Sequence, residues 1–592
     1  MLETAGKGVV IVFFIALFFT LTVPVSDPDF WWHLASGKWM WLNGAIIQGD
    51  PFIIDSQFKT PSISEIFILK QYWLSQIVFY LIYQFSGFKG IVLLTATVHA
   101  MMFFFVYKLI IDEGVTRLVA IFLLGISWMV IVHEFNYIGS KPQMWSSLFS
   151  VVIVYILENM KKGRRWASVV LPPLMLVWAN LHGGFIFGNV IIVIYCAGLF
   201  FSSRHNRSFY VVSAASILLS GVNPNGFTAF ISAPLIGPII SLFNIQSLQG
   251  IREVADSISE TQSIFQHSSL AGIFRSLHFF AAIISISLIS FAINIRNMRS
   301  FRIEHLLLFV AVLFMGARSI RFIIFFTLIA SFLAAINLKN FWERYAKGNV
   351  TVSRRWSAQA AVVLILAMAV YLVSAGNVRA ALASDKFFVS DFENGAEFIL
   401  RNNLRGNIFN DYNGGGYLIW RLTPDIKLFI DGRNLYPKIF EAYQAAVDYA
   451  FEYRNYERVL DDFNIDMVMM PGCDKVSGTL ITLVAALLED HSWSLLYADA
   501  SMLVFMRNSP ENMEQVKRLA VPKEQAYQNI YNLAINASLS GHASRMPNWK
   551  LSVAYACQGL GDNLRAVDML REYINERPDD KFAASLLKRL EP

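Results

Sequence analysis

From residue 8 to residue 374, apolar runs alternate with short polar segments. A helix needs about 20 predominantly apolar residues to span the hydrocarbon core of a bilayer. Eleven runs approach or reach that length, at residues 8–25, 88–108, 117–133, 144–159, 167–180, 185–201, 208–222, 270–294, 305–315, 320–338 and 358–374. The pattern predicts a mainly α-helical, polytopic bundle of about 11 spans within residues 1–380.

The run 72–85 differs from the predicted spans because it is rich in tyrosine and tryptophan. These side chains favour the membrane–water interface. We therefore expect an interfacial or re-entrant helix, which would close a first extracytoplasmic loop at residues 26–87.

After residue 385 the pattern changes to short strand-like segments that alternate with amphipathic helices. The predicted strands are 407–409, 427–430, 467–470, 494–498 and 502–506, and the predicted helices are 391–402, 436–452, 456–463 and 479–489. This alternation is typical of a small α/β domain, which we place at residues 385–510.

The tail, residues 522–592, has a helical pattern. Within 548–578 the residues Ala554, Gly561, Ala566, Leu570 and Pro578 follow tetratricopeptide (TPR) spacing. One clear repeat is present, and 527–540 is a degenerate candidate for a second. The pattern predicts a short TPR-like helical tail, and a tail of this kind suits contact with an envelope protein.

Composition supports a membrane protein with a soluble part. The 592 residues are 55% hydrophobic and only 16% charged, and the mean hydropathy is +0.47, whereas soluble domains are about 25% charged. The net charge of +6 comes from basic residues in short loops, which argues against a nucleic-acid partner. The three cysteines show no metal-binding or disulfide spacing.

The basic residues also predict the topology. Clusters at 108–117, 161–165, 204–207, 296–302 and 344–355 all fall on one side if the N-terminus is cytoplasmic. The first run, 8–25, is followed by more spans and lacks a cleavage site, so we interpret it as a retained span. We expect a multi-pass inner-membrane protein whose polar loops and C-terminal α/β domain are extracytoplasmic.

The most informative polar segment is 26–33, which contains Asp27, Asp29, Trp31, Trp32 and His33. Carboxylates at a membrane surface are costly unless they have a partner or a function. A turn with an interfacial aromatic belt, helix capping and an ion pair with an outer arginine are all open interpretations. For His33, packing or hydrogen bonding is favoured over ligand binding.

Arg318 and Arg321 have i, i+3 spacing, which predicts one helix face at the outer surface. Arginine suits bidentate phosphate recognition, although contact with lipid headgroups explains the same pattern. Lys141 and His182 are weaker phosphate candidates on the same side, and a structural role for His182 is open.

Three further features have both structural and functional interpretations. Glu134 is expected either to pair with Lys141 or to position an acceptor. The sequence Asp431-Gly432-Arg433 suits a strand-end turn, or a cover over a membrane site. The three glycines at 414–416 favour a tight turn over a phosphate-binding loop, because no lysine or Ser/Thr follows at the required spacing.

Taken together, these motifs resemble the GT-C class of membrane glycosyltransferases, which use polyprenyl-phosphate-linked sugars. Asp29 followed by Gly44 resembles the first-loop motif of lipid A aminoarabinose transferases, which are related to protein O-mannosyltransferases. Further similarity to an uncharacterised bacterial group lies at 50–52, 141–143, 178–185, 223–226, 318–322, 410–417 and 431–433. Asp27-Pro28-Asp29 also resembles the Asp-x-Asp motif of oligosaccharyltransferases, but their Trp-Trp-Asp acceptor motif is not found.

The resemblance implies inverting transfer of a sugar from a polyprenyl phosphate, such as undecaprenyl phosphate, to an extracytoplasmic protein, lipid or glycan. Asp29 would be the general base and Asp27 a helper. Arg318, Arg321, Lys141 and His182 would bind the donor phosphate, whereas His33, Glu134, Trp31 and Trp32 would position the acceptor or the base. Use of a divalent metal, through Asp27 and Asp29, stays open. Alternatives are a lipid-linked oligosaccharide ligase or polymerase, a polytopic transporter and a scaffold.

Overall fold

The computed structural model describes residues 2–55, 63–135, 138–202, 206–228, 277–294, 302–345, 387–433, 435–447, 455–539 and 548–591. The chain divides into two compact units. The first comprises Met1–Asp27, Ser36–Ile46 and Phe67–Val389, and the second comprises Pro28–Ala35, Ile47–Ile66 and Ser390–Pro592. Parts of the predicted first loop therefore belong to the same unit as the C-terminal region.

The N-terminal part of the chain is helical. Its described helices are α1 (Leu2–Thr20), α2 (Pro28–Asn43), α3 (Ile63–Lys70), α4 (Trp73–Asp112), α5 (Arg117–Trp128), α6 (Gln143–Lys161), α7 (Arg165–Leu181), α8 (Phe185–Phe201), α9 (Arg207–Ser220), α10 (His278–Ala292), α11 (Ile303–Arg318) and α12 (Ile323–Tyr345). A π-helical turn, Met129–Glu134, continues α5. The predicted spans up to 320–338 coincide with these helices, and the predicted span 358–374 lies outside the described residues.

Within the described part of the chain, three helical segments are long and apolar enough to cross a membrane: Trp73–Asp112, Arg117–Glu134 and Ile320–Arg344. The helices α4 and α5 also present apolar residues at many positions. Helix α4 is interrupted at Gly87, whose φ of 59° and ψ of −157° are not helical. The break confirms that 72–85 and 88–108 form two separate helices. The total number of membrane crossings stays a prediction.

Several helices of the first unit carry large apolar side chains on their outer surfaces. Ile11 is 60% exposed, Val169 72%, Val193 56% and Leu218 62%. A soluble domain places polar residues on such faces, whereas contiguous apolar surface marks contact with another apolar phase. This distribution suits helices that face lipid.

A buried charge cluster joins α6, α8 and α11 in the first unit. Glu158 accepts hydrogen bonds from Tyr195 at 2.9 Å and lies 2.8 Å from Nε2 of His305. Lys161 bridges Glu158 at 3.3 Å and Glu304 at 2.5 Å. Opposite charges in such a setting compensate each other only with good geometry, so the cluster fixes how these helix ends pack. It lies at the end of α6 opposite Gln143.

The second unit contains a four-stranded sheet with helices around it. Its elements are α13 (Glu393–Arg401), β1 (Asn407–Asn410), α14 (Gly415–Leu422), α15 (Pro437–Val447), α16 (Asn455–Asp462), β2 (Ile465–Met470), α17 (Thr482–Glu489), β3 (Trp493–Ala498), β4 (Leu503–Arg507) and α18 (Met513–Leu519). The strand order is β1-β2-β4-β3. The strands β1 and β2 are parallel, and the other pairs are antiparallel. The predicted α/β character is thus present.

The strand predicted at 427–430 does not form, and this prediction was wrong. Leu428 makes only isolated bridges, to Ile53 and Ile408. The side chain of Asn410 accepts a hydrogen bond from the backbone of Phe429 at 3.0 Å and donates one to the carbonyl of Ile430 at 2.8 Å. Backbone hydrogen bonds also join this segment to Ile408 and Phe52, but the pairing does not extend beyond single bridges, and the Asn410 side chain bonds the residues that follow.

The tail forms α19 (Glu524–Leu539), α20 (Asn548–Gly559), α21 (Asn563–Glu576) and α22 (Lys581–Leu590). The predicted helix–turn–helix is present as α20 and α21, and its identity as a TPR stays a prediction. The side chains of Leu533, Val553, Cys557 and Ala566 share a core with Cys473 of the α/β region. The tail and the sheet therefore pack as one body.

Candidate functional site

Asp29 lies in the first turn of α2, directly after Pro28. Its Oδ1 accepts a hydrogen bond from Nε1 of Trp32 at 3.2 Å. The side chain is partly buried. A carboxylate in the first turn of a helix is favoured by the partial positive charge of the unpaired backbone amides there. The sequence candidate for the general base is thus held in a defined orientation by a residue three positions later.

The aromatic residues that follow Asp29 form its inner wall. Trp31, Trp32 and His33 are all buried. Trp31 makes an edge-to-face contact with Tyr417, with ring centroids 4.8 Å apart, and Trp32 lies 3.5 Å from the His33 ring. His33 packs as expected, and the two tryptophans link α2 to the α/β region within the second unit.

A closed charge triad lies beside this wall. Arg433 donates to both oxygens of Asp50, at 3.2 and 2.9 Å, and to both oxygens of Asp431, at 2.8 and 2.6 Å. The Arg433 and Asp50 side chains are 0% exposed and Asp431 is 3% exposed. The Arg433 guanidinium also lies 5.8 Å from the Trp32 ring centroid, a cation–π distance.

The residue between Asp431 and Arg433 approaches the candidate base closely. A Cβ atom added at Gly432 would lie 3.2 Å from Oδ1 of Asp29. The phenol of Tyr412 lies 3.5 Å from the Gly432 carbonyl. Burial, followed by the negative charges of Asp431 and Asp29, raises the pKa of Tyr412 well above its usual range, so this phenol stays protonated. The segment 431–433 is therefore a wall of the candidate site.

Sequence reasoning missed Asp50 and Tyr412 as neighbours of the site. The sequence indicates only Asp431, two positions earlier, as a partner for Arg433. A signal was present: Asp50 directly precedes the apolar segment 51–54, beside which an unpaired buried charge is costly. Its partner, Arg433, lies 383 positions away in the sequence, so no local pattern indicates the pairing.

The glycine-rich segment 414–416 joins a tight turn to a helix: the turn ends at Gly414, and Gly415 and Gly416 begin α14. Oδ1 of Asp411 accepts from the backbone amides of Asn413 and Gly414, at 2.9 and 3.1 Å. A Cβ at Gly416 would lie 2.5 Å from the Pro28 carbonyl, so only glycine allows α14 to approach the start of α2. Burial, with the nearby charge of Asp474, raises the pKa of Asp411 to about 6.

The first unit contains the other candidate residues. Nζ of Lys141 lies 3.2 Å from Oδ2 of Asp27 in a largely buried ion pair. Glu134 instead accepts from the backbone amides of Phe279 and Phe280, at 2.7 and 2.9 Å, and so caps the start of α10. The suggested pairing of Glu134 with Lys141 is therefore wrong, because Lys141 pairs with Asp27 while the Glu134 carboxylate is directed to the orphan amides of α10.

His182 is held in one tautomer. Its Nδ1 accepts from the Gly184 amide at 2.9 Å and lies 2.6 Å from Oγ of Ser146, which itself accepts from Nε1 of Trp178 at 2.8 Å. An amide can only donate, so Nδ1 is unprotonated and the proton of the neutral ring is on Nε2. Burial, then the positive charges of Arg321 and Lys141, lowers the pKa of His182 to about 3.

Arg318 and Arg321 do not share one helix face, and this prediction was wrong. Arg318 ends α11, Ser319 is extended with φ −152° and ψ 133°, and Arg321 lies in the separate 3-10 turn Ile320–Phe322. The i, i+3 rule requires continuous helix, which Ser319 interrupts. The Arg321 carbonyl nevertheless accepts a hydrogen bond from the Gln143 side chain at 3.5 Å, two residues after Lys141, and the positive charges of Arg321 and Lys141 both lower the pKa of His182.

No group of three His, Cys, Asp or Glu side chains suited to a metal ion occurs among the residues that the structure describes. Asp27 is engaged by Lys141, and Asp29 accepts from the Trp32 indole. No step below is assigned to a metal.

No family model matches the chain, and no curated protein matches it. Solved structures do match. One is the archaeal oligosaccharyltransferase AglB from Archaeoglobus fulgidus in complex with an inhibitory peptide and a dolichol-phosphate, at 12% identity and a TM-score of 0.52, covering 97% of this chain and 86% of that one. The same enzyme tethered to an acceptor peptide containing the NVT sequon matches at 12% identity and a TM-score of 0.51, covering 90% and 77%.

A further neighbour is ArnT from Cupriavidus metallidurans bound to undecaprenyl phosphate, at 13% identity and a TM-score of 0.47, covering 87% of this chain and 98% of that one. The structural neighbours are GT-C glycosyltransferases. The similarity in fold rests on the archaeal enzyme, whose TM-scores exceed 0.5. Sequence identities of 12% are evidence for a shared fold and not for a shared activity. The expected GT-C resemblance is confirmed at that level.

Proposed function

We propose that the protein is a membrane glycosyltransferase that moves a sugar from a polyprenyl-phosphate-linked donor to an extracytoplasmic acceptor, with inversion. The observation that carries this proposal is the partly buried carboxylate of Asp29, fixed at the start of α2 in a chain with the GT-C fold. A neighbour with this fold was solved with dolichol-phosphate, which supports a lipid-phosphate donor here.

In the proposed reaction Asp29 is the general base. It takes the proton of an acceptor hydroxyl or amine while that oxygen or nitrogen attacks the anomeric carbon. The bond from that carbon to the phosphate oxygen breaks at the same time, and its electron pair leaves with the phosphate. Attack from the face opposite the leaving group inverts the anomeric configuration.

The leaving phosphate is assigned to the positive region of the first unit. Arg321 and Lys141 supply charge, and the neutral His182 supplies an Nε2–H donor whose tautomer is already set by Ser146 and Gly184. Preorganised donors stabilise charge that develops on a leaving group. Arg318 is retained as a phosphate-binding candidate on the adjacent helix end.

The remaining candidates have supporting roles in this proposal. Asp27 is a helper that orients Lys141 through their 3.2 Å ion pair. Trp31, Trp32 and His33 form the wall that fixes Asp29. Glu134 acts only indirectly, because its carboxylate caps α10.

We place the protein in the inner membrane with multiple spans, a cytoplasmic N-terminus and an extracytoplasmic second unit. The positive-inside distribution of the short loops, such as 161–165, supports this orientation. The outward apolar side chains of the helices support membrane insertion. The tail is proposed as a contact site for an envelope protein.

A second candidate is transfer of a lipid-linked oligosaccharide. The fold similarity to an oligosaccharyltransferase solved with an acceptor peptide favours it. The two candidates differ in the donor, since the second needs an oligosaccharide on a lipid pyrophosphate or phosphate instead of a single sugar on a monophosphate.

The test uses the full-length protein in nanodiscs with a panel of undecaprenyl-phosphate monosaccharides and undecaprenyl-pyrophosphate oligosaccharides. Release of the free lipid phosphate is measured in the presence of extracted envelope acceptors. Release from a monosaccharide donor supports the proposal, and release from oligosaccharide donors alone supports the second candidate. Binding without release from any donor would contradict both and favour a transporter or scaffold.

A further inference from the structure

Asp50, Arg433 and Asp431 form a buried cluster of paired charges. The Asp50 carboxylate also accepts from the Phe52 amide at 3.1 Å, and Asp431 accepts from the Arg433 amide at 2.8 Å. None of the three side chains has appreciable exposed area. The triad therefore has no surface on which to bind a ligand, and its effect must pass through its neighbours.

Two neighbours connect the triad to Asp29. Trp32 lies under the Arg433 guanidinium and donates its indole proton to Asp29. Gly432, held between the two triad members Asp431 and Arg433, leaves room for the same Oδ1 atom, because a Cβ added there would lie 3.2 Å from it. One oxygen of the candidate base is thus hydrogen-bonded by Trp32 and faces Gly432, and Arg433 contacts the Trp32 ring and brackets Gly432 through Asp431.

The two carboxylates accept four hydrogen bonds from the Arg433 guanidinium, two each, so the guanidinium is fixed from both sides. Asp50 comes from the first-loop segment of the second unit, and Asp431 follows β1 and α14 in the chain. The triad therefore ties the loop segment to the α/β region at the point where Asp29 is contacted.

We infer that Arg433, clamped by Asp50 and Asp431, is a positioning residue for Asp29, acting through Trp32 and Gly432, so that the α/β region is part of the catalytic centre and not an accessory domain. The inference rests on the proposed function in that Asp29 is taken as the base. Displacing a reacting group by even a fraction of an ångström lowers the rate of the chemical step, whereas donor binding does not depend on this carboxylate.

Two variants test the inference without breaking the triad. Trp32→Phe keeps a ring beneath Arg433 and removes the hydrogen bond to Asp29. Gly432→Ala adds the Cβ that would lie 3.2 Å from Asp29, so the carboxylate must shift by a few tenths of an ångström. For each, kcat is expected to fall about tenfold while KM for the donor stays within about twofold.

Matched controls exist in the same unit. Trp493 lies 4.9 Å from the Arg507 guanidinium and is buried, so Trp493→Phe repeats the tryptophan change in an equivalent environment. Gly49→Ala repeats the glycine change where no atom lies within 4 Å of the added Cβ. Both controls are expected to keep kcat.

A second readout does not depend on activity. Asp29 is coupled to an amine with a water-soluble carbodiimide, and the rate is quantified by peptide mass spectrometry in the intact protein. In the wild type the hydrogen bond from Trp32 shields Oδ1 of Asp29. Its loss in Trp32→Phe should raise the coupling rate about threefold or more, whereas Trp493→Phe should keep the wild-type rate.

The outcomes separate the inference from the proposed function. If no donor is turned over by the wild type, the proposed function fails, and the coupling rates alone decide whether Trp32 and Gly432 hold Asp29. If donors are turned over but Trp32→Phe and Gly432→Ala match their controls in kcat and in coupling rate, the positioning role of Arg433 is wrong. An increase in donor KM with unchanged kcat would also overturn it.

Discussion

Arg433 and Asp50 form a two-pronged ion pair across 383 positions of the sequence, with neither side chain exposed to solvent. The pair joins the loop that follows α2 to the α/β region. Asp431 accepts two further hydrogen bonds from the same guanidinium. Through Trp32 the pair is connected to Asp29, the residue that we propose as the base.

Asp50→Asn is expected to destabilise the protein. Asp431 still neutralises Arg433, but the amide keeps one oxygen acceptor in place of two, so a guanidinium N–H in this buried site loses its charge-assisted hydrogen bond, which costs about 1.5–3 kcal/mol. The measurement is thermal unfolding of the purified protein in detergent. Asp425→Asn is the control, because Asp425 pairs with Arg405 at the surface and is 61% exposed. A melting temperature for Asp50→Asn equal to that of the control would contradict the assignment of the triad as a structural clamp.

Arg321→Gln is expected to weaken binding of undecaprenyl phosphate about tenfold, since charge-assisted hydrogen bonds to phosphate contribute about 1.5–3 kcal/mol. Lys141→Gln should have a smaller effect, because Asp27 already pairs with that cation. Binding is measured by isothermal titration in nanodiscs. Arg405→Gln, at an exposed surface pair, provides the control, and equal affinity in Arg321→Gln and Arg405→Gln would remove Arg321 from the phosphate site.

His182 is expected to make the fold sensitive to mild acid. Its pKa is lowered to about 3 in the folded protein, whereas an unfolded histidine titrates near 6.5. Between these values the unfolded state binds more protons, so stability falls as pH falls from about 6.5 toward about 3. His182→Asn keeps an acceptor for Gly184 and should lose less stability between pH 7.5 and pH 5 than the wild type.

The control for that measurement is His491→Asn, at an exposed histidine. It should show the wild-type dependence of melting temperature on pH. Identical curves for the wild type and both variants would show that His182 is not held neutral.

Asp411 is expected to have the opposite effect to His182 on how stability depends on pH. Its pKa is raised to about 6 in the folded state, compared with about 3.9 in an unfolded chain. The folded state therefore binds more protons, and this contribution to stability, complete below about pH 4, is lost as pH rises through about 6. Asp411→Asn retains an oxygen acceptor for the turn amides and should raise the melting temperature at pH 7.5 but not at pH 4. A lower melting temperature at pH 7.5 would contradict burial as the dominant influence on this carboxyl group.

The fold was largely predictable because its signals are local. Apolar runs of span length coincide with α4, α5 and α12, and strand patterns coincide with β2 and β4. The interruption at Gly87 also has a local signal, since glycine tolerates a positive φ that other residues avoid. Where the local signal misled, as at 427–430, the backbone pairing stops at single bridges through Leu428, and the Asn410 side chain bonds the residues that follow.

The candidate site was predictable only in part. Asp29 is found from the sequence because a carboxylate among interfacial aromatics requires an explanation. Its neighbour Gly432 and the partner Asp50 of Arg433 are distant in sequence, and no periodicity connects them. The break at Ser319 was likewise hidden, because i, i+3 spacing indicates a shared face only if the helix continues. Capping of α10 by Glu134 depends on tertiary packing that spacing does not report.

Transfer activity of Asp29→Asn is the most direct test of the central claim. The wild type, Asp29→Asn and the surface control Asp425→Asn are compared for release of undecaprenyl phosphate from the donor that the wild type uses. Loss of a general base lowers the rate about 10²–10⁴-fold, so we expect Asp29→Asn to fold, insert and bind undecaprenyl phosphate normally while its kcat falls by that factor and Asp425→Asn keeps the wild-type rate. A correctly folded Asp29→Asn variant with the wild-type kcat would contradict the assignment of Asp29 as the base.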